Sequence, residues 1–146
     1  MTWHYNNEVF NPGEDELKDL VGFVYLITEK ETGMKYVGKK LFHRKKTLPP
    51  LKGQKRKRRS LVESDWKTYC GSSENVKEAI KLNGIESFHR EILHLCKSKG
   101  DCSYLEAKEQ FDRDVLFDDK YHNEVVNCRI HKKHLSKELR DDYGTH

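Results

Sequence analysis

Two short apolar runs with a polar turn between them constrain this chain most: Gly22-Phe23-Val24-Tyr25-Leu26-Ile27 and Lys35-Tyr36-Val37-Gly38-Lys39-Lys40. The intervening Glu29-Lys30-Glu31-Thr32-Gly33 reads as a hairpin turn, so the runs are expected to pair as antiparallel strands. Side chains alternate across a strand. Tyr25 therefore shares a side with Phe23 and Ile27, and Tyr36 shares one with Gly38 and Lys40. In register, two phenols and an ammonium would meet over a glycine that leaves room for a substrate backbone. The competing reading is that tyrosines are simply good strand formers.

The rest of the chain sets the frame for that hairpin. A length of 146 residues suits one domain with a single core. Charged residues make up 36 % and the mean hydropathy is −0.94, which implies a lean core and a strongly solvated surface. No apolar stretch is long enough to span a membrane, and Trp3, His4, Asn6 and Glu8 do not form a signal-peptide pattern. The expectation is a cytoplasmic protein. Cys70, Cys96, Cys102 and Cys128 are then expected as thiols rather than disulfides.

Charge is distributed unevenly. Residues 39–59 hold 11 of the 28 Lys and Arg and no acidic residue, leaving 17 basic against 24 acidic residues elsewhere. Lys39, Lys45, Lys46 and the run Lys55-Arg56-Lys57-Arg58-Arg59 suit contact with phosphates and release of counterions. A solvated loop or a localisation tract has the same composition. Because the block follows the tyrosine hairpin directly, a polyanionic substrate is the preferred reading.

Further along, residues 1–21 read as irregular, with a turn at Asn11-Pro12-Gly13 and a short acidic helical stretch. Residues 41–65 read as an extended basic loop broken by Pro49-Pro50 and Gly53. Ser72-Ser73-Glu74-Asn75 opens a helix that stops at Asn83-Gly84. Phe88, Glu91-Ile92-Leu93 and Leu95 read as a third strand, and Lys97 to Asp101 as a turn. A second helix is expected from about Ser103 to Phe117, with Tyr104, Ala107, Phe111 and Val115 in one stripe. Tyr121 to Val126 closes the pattern. The order gives an α+β domain with a small antiparallel sheet of about three strands flanked by helices.

In that order the residues resemble the GIY-YIG endonuclease superfamily, and Trp66-Lys67-Thr68-Tyr69-Cys70-Gly71-Ser72-Ser73 resembles its small phage-encoded members. The two name-giving motifs stand here as Phe23-Val24-Tyr25 and Tyr36-Val37-Gly38. Gly71-Ser72-Ser73, the strand Glu91-Ile92-Leu93, a glutamate-bearing helix and Tyr121-x-Asn123 follow in the family's order. The resemblance implies a nuclease-like domain over 22–127 with a basic loop at 39–65. An N-terminal extension over 1–21 and a charged tail over 128–146 flank it. Two departures stand out. Phe23 replaces the first glycine of the motif, with Gly22 one place early, and the region that normally supplies an arginine is the basic loop. Arg44, Arg58 and Arg59 all compete for that role.

The implied activity is Mg²⁺- or Mn²⁺-dependent hydrolysis of DNA phosphodiesters, by a monomer or a homodimer. Such chemistry needs an activated water, charge neutralisation and help for the leaving oxygen. Magnesium favours carboxylate oxygens and keeps most of its waters. The candidate ligands are Glu106, in a Tyr-Leu-Glu pattern resembling the phage relatives, and Glu109, with the better family spacing to Asn123; Glu106 is favoured. Tyr25 and Tyr36 would hold the attacking water and the phosphate. Lys40 would stabilise a phenolate, and Arg44 would fork onto the scissile phosphate. Tyr69 would replace the family's histidine or else belong to the core, and Asn123 would orient a phosphate or the glutamate. Trp66 is expected in the core or stacked on bases.

Two other readings compete. One is a non-catalytic nucleic-acid-binding module that keeps the basic loop. The other is a zinc-stapled domain using Cys96, Cys102, Cys128, His131 and His134.

Overall fold

The computed structural model describes residues 2–143. Seven strands and four helices run in the order β1 (Trp3–Tyr5), β2 (Glu8–Val9), α1 (Glu14–Lys18), β3 (Gly22–Glu29), β4 (Lys35–Leu41), β5 (His43–Leu48), β6 (Arg58–Glu63), α2 (Glu74–Asn83), β7 (Phe88–Cys96), α3 (Lys99–Asp112) and α4 (Lys137–Tyr143). The fold is α+β. The sheet has five strands in the order β2-β1-β7-β3-β4, with β1 and β7 parallel and the other pairs antiparallel. Among the described residues, no helix is long and apolar enough to cross a membrane.

The continuous apolar run of β3 has a direct cause: both of its faces are covered. Phe23, Tyr25 and Ile27 face a core with Trp3, Phe42, Trp66, Val76 and Ile92, against which Ala79 and Ile80 of α2 pack. Val24 and Leu26 face the opposite core with Val37, Cys96, Cys102, Leu105 and Val115. A strand buried on both sides loses the polar alternation of a half-exposed one. Trp66 belongs to the first core at 2 % exposure.

Three expectations need correction. The first concerns the sheet, which has five strands rather than three because Trp3-His4-Tyr5 joins β7. Asn6 and Asn7, both at positive φ (52° and 68°), turn the chain back into β2. Two residues with left-handed backbones are the geometry of a tight hairpin, and asparagine tolerates it. The second concerns residues 41–65, which form a β-hairpin with paired strands from His43↔Glu63 to Leu48↔Arg58, not a loop. Most of its residues are exposed on both faces, so no apolar alternation marks it in the sequence.

The third concerns the second long helix. It starts at Lys99 rather than Ser103, because Ser98 caps it by accepting from the Asp101 N–H at 3.0 Å. It ends at Asp112, and Asp114 breaks the chain away at φ 51°. Its buried residues are Asp101, Cys102, Leu105, Ala107 and Gln110, whereas Phe111 is 63 % exposed and lies off the expected stripe. Beyond it, Ser136 N–H and hydroxyl donate to Asp101, at 2.8 and 2.5 Å, and fasten the C-terminal segment to α3.

Candidate active site

The β3–β4 hairpin places Tyr25 directly opposite Gly38, Tyr36 opposite Ile27 and Lys40 opposite Phe23. Tyr36, Gly38 and Lys40 thus share the face that carries Tyr25. The glycine serves a different end from the expected one. The space above it is filled by the Tyr25 phenol, not left for a substrate. A Cβ on Gly38 would lie 2.5 Å from Tyr25 Cζ and closer still to the hydroxyl. Opposite Tyr25, β7 bulges: pairing skips from Val24↔His94 to Tyr25↔Ile92, leaving Leu93 unpaired. Bulges re-aim side chains and recur beside active sites.

Tyr25 is 1 % exposed. The Tyr69 ring meets it edge-on with centroids 6.0 Å apart, and the Tyr36 ring lies 6.3 Å away. Gly71, at φ 92°, roofs the group, with its would-be Cβ 3.5 Å from the Tyr25 hydroxyl and 3.6 Å from the Tyr36 ring. Burial, then the neighbouring Tyr69 and Tyr36, hold the Tyr25 phenol well above the ordinary tyrosine value. Its hydrogen bond with Tyr69 and the nearby Glu106 carboxylate act in the same direction. Tyr25 is therefore a neutral phenol at physiological pH.

Lys40 does not serve Tyr25. Its Nζ sits 2.6 Å from Asp65 Oδ1 and 4.0 Å above the centre of the Tyr69 ring. The hydrogen bond from Lys40 keeps the exposed Asp65 carboxyl below its usual value. Lys39 points the other way and donates to Ser103 Oγ at 2.7 Å. Arg44, at the root of the β5–β6 hairpin, acts electrostatically on Asp65. Arg58 and Arg59 pair with Leu48 and Thr47 at the distal end. Of the three arginines, Arg44 is the one at the hairpin root, within electrostatic reach of the Asp65 carboxylate that Lys40 holds.

The two glutamates have different surroundings. Glu109 Oε1 meets His94 Nε2 at 2.8 Å, and its Oε2 accepts from Arg113 Nε at 2.9 Å. Burial raises its pKa, but the bonds from Arg113 and His94 outweigh this and hold it below the usual value. Glu106 accepts a hydrogen bond from the Lys39 backbone, and burial raises its pKa against the pull of Lys39. It lies within electrostatic reach of Tyr25. A half-buried carboxylate at a strand edge suits magnesium, which takes one or two carboxylates and keeps several waters.

Asn123 is a brace. Its side-chain oxygen accepts from Val37 N–H at 3.0 Å and its amide donates to Val37 O at 2.8 Å, as a neighbouring strand would. Gln110 adds a bond to the same carbonyl at 3.3 Å. The Tyr121–His122 segment pairs with Lys35, so the free edge of β4 is closed at successive outward positions. Tyr36, Ser73, Glu74, His122 and Asn123 line an open cleft of about 310 Å³ beside this edge. Tyr36 Oη lies 3.5 Å from Ser72 Oγ.

The sequence reading missed Arg90. Its side chain is 1 % exposed, 4.3 Å above the Trp3 ring, and donates to the Tyr69 and Lys67 carbonyls at 2.7 and 2.9 Å. It fixes the segment that carries Tyr69. The signal was present, because Arg90 shares the inward period of Phe88 and Ile92. The residues of the alternative zinc reading do not assemble: Cys96 and Cys102 meet in the core, Cys128 is exposed, and no three His, Cys, Asp or Glu converge among the described residues.

A family model described as "Putative endonuclease segE, GIY-YIG domain" matches residues 3–126. No curated protein and no solved structure matches the chain. The match takes in the tyrosine hairpin, the basic ribbon, α2, β7, α3 and Asn123, and by it the chain belongs to the SegE-type branch of the GIY-YIG endonuclease superfamily.

Proposed function

We propose that this protein is a metal-dependent endonuclease that hydrolyses DNA phosphodiester bonds. The observation that carries the reading is the packing of Tyr36 and Tyr69 against Tyr25 above Gly38, with Glu106 bonded to the neighbouring Lys39 backbone and a basic hairpin following directly in the chain. Glu106 would hold the dication, which supplies charge neutralisation at the phosphoryl oxygens and at the leaving oxygen. Tyr36 lines the open cleft and meets the attacking water. Tyr25 lies behind it as a positioning residue, bonded to Tyr69, and cannot reach substrate while Gly71 roofs it. Arg44 binds the scissile phosphate through its fork. Lys40 acts by orienting Tyr69 and Asp65 rather than by stabilising a Tyr25 phenolate.

The test is conversion of supercoiled plasmid in Mg²⁺, with EDTA in parallel. One centre cuts one strand, so nicked circles are expected to form before linear product. A folded protein that shifts DNA but cuts neither strand in Mg²⁺ or Mn²⁺ would leave a binding module.

A pH dependence follows from Glu106. The ionised form must hold the metal, and burial raises the pKa of this carboxyl. Cleavage is therefore expected to rise with pH through a midpoint above the ordinary glutamate value, about 4.3. The folding linkage has the opposite sign. A carboxyl with a raised folded pKa favours the folded state as pH falls through that value. Measuring the pH dependence of Mg²⁺ binding directly separates the metal step from unfolding. A midpoint at or below the ordinary value would contradict the assignment.

A further inference from the structure

The β5–β6 hairpin makes few demands on the domain that carries it, yet its root is firmly held. Phe42 is fully buried, its N–H donates to Val21 O at 3.0 Å, and its carbonyl accepts from Ser64 N–H at 2.8 Å. Ser64 Oγ closes the root by donating to Leu41 O at 2.6 Å. Beyond it, the six paired positions extend roughly 20 Å at the usual rise per residue. The tip turns at Gly53, at φ 83°, with Gln54 N–H bonded to Leu51 O.

The two faces of this ribbon differ. Arg44, Lys46, Leu48, Arg58, Ser60 and Val62 form one face, where Leu48, Ser60 and Val62 are partly covered. On the other, the cross-strand pairs Lys45↔Leu61 and Thr47↔Arg59 are all exposed, with Leu61 at 64 %. An exposed leucine and threonine between a lysine and an arginine is a poor surface for water alone. It matches what base edges offer in a major groove: acceptors on guanine for Arg or Lys, and thymine methyls for apolar groups. That groove is wide enough for a two-stranded ribbon.

We propose that the β5–β6 ribbon enters the major groove of duplex DNA with Lys45, Thr47, Arg59 and Leu61 towards the bases, and so carries the sequence preference of the protein. The proposal rests on the nuclease reading for its substrate and adds where that substrate is read. The five steps from the fixed root at Phe42 to the Thr47↔Arg59 pair span roughly 16 Å, which puts the farthest base contacts about five base pairs from the root, at roughly 3.4 Å per pair. Lys52 and Lys55 at the tip meet phosphates and carry no sequence information.

The experiment is binding selection from a randomised duplex library by the full chain in EDTA, so that cutting plays no part. Wild-type protein is expected to enrich a short motif. Arg59→Ala/Leu61→Ala, at exposed positions, is expected to flatten that enrichment tenfold or more at the contacted pairs. Lys52→Ala/Lys55→Ala should weaken all sequences alike and lower the salt slope by about 2. An RNA duplex of the enriched sequence should bind at least tenfold more weakly, since its deep, narrow major groove excludes the ribbon. No motif from wild type, a motif unchanged by Arg59→Ala/Leu61→Ala, or equal binding to RNA would each overturn the proposal. Absence of cutting in Mg²⁺ by the same protein would remove the nuclease reading and leave the binding result standing.

Discussion

Gly38→Ala is expected to lower stability by about 2 kcal/mol and DNA cleavage at least a hundredfold. The added methyl would overlap the Tyr25 ring, with Cζ at 2.5 Å, and the ring has nowhere to go. Trp3 lies 5.6 Å from it, Phe23 6.1 Å and Tyr69 6.0 Å, and Gly71 blocks the hydroxyl end. Overpacking of this kind costs roughly 1–3 kcal/mol, and about 2 kcal/mol corresponds to about 4–8 °C in Tm for a domain of this size. Cleavage falls further than stability because displacement of the tyrosine group by about an ångström misaligns the groups that meet the water. Tyr25→Phe removes the atom nearest the new methyl. The double variant should therefore recover part of the lost stability, a non-additive result that thermal melts would reveal. Unchanged melting of Gly38→Ala would show that Tyr25 is not wedged above this glycine.

Glu106→Gln and Glu109→Gln are expected to separate cleanly. The first keeps the shape and the hydrogen bond from the Lys39 backbone but loses the charge a hard dication needs. Its Mg²⁺-dependent cleavage should fall a thousandfold or more, with little change in melting. Removing the charge of Glu109 weakens its bond to His94, which joins α3 to β7, and its bond to Arg113 at the end of α3. That variant should lose about 1–2 kcal/mol of stability and less than tenfold in cleavage at a temperature where it is folded. Chemical denaturation and initial rates on the same preparations measure both quantities. The reverse pattern, with Glu109→Gln inactive and Glu106→Gln active, would move the metal to the other glutamate.

Much of this arrangement could be read from residues. The β3–β4 hairpin was legible because a continuous apolar run, a polar turn and a second run leave few alternatives. The helix from Glu74 to Asn83 was legible from the serine before it and the glycine after it. Other parts were hidden for identifiable reasons. The ribbon has two solvated faces, so its strands lack the apolar period that betrays a strand. β1 is three residues long and gains its place only by pairing with a strand more than 80 positions away. Gly100 sits within the first turn of α3, where its usual role as a helix breaker obscured the Ser98 cap.

The site was legible in composition more than in geometry. Sequence placed Tyr25, Tyr36, Gly38 and Lys40 on one face, but direction within that face is a packing outcome. Tyr25 folds back over the glycine, and Lys40 leans to Asp65 and Tyr69. Asp65 lies 25 positions from Lys40, and no local pattern announces the pair. Asn123 was expected to orient a phosphate or the glutamate, whereas its two bonds to Val37 make it a brace for the strand edge. Arg90 was invisible as long as β7 was read only for its apolar positions.

The most direct measurement is single-turnover cleavage of a duplex in Mg²⁺ by the wild type, Tyr36→Phe and Glu106→Gln, all confirmed folded. The expected result is metal-dependent cutting by the wild type, a loss of at least a hundredfold in Tyr36→Phe and a larger one in Glu106→Gln, with DNA binding retained by both. Cutting that persists undiminished in both variants would place the chemistry elsewhere in the molecule and contradict the assignment of this site.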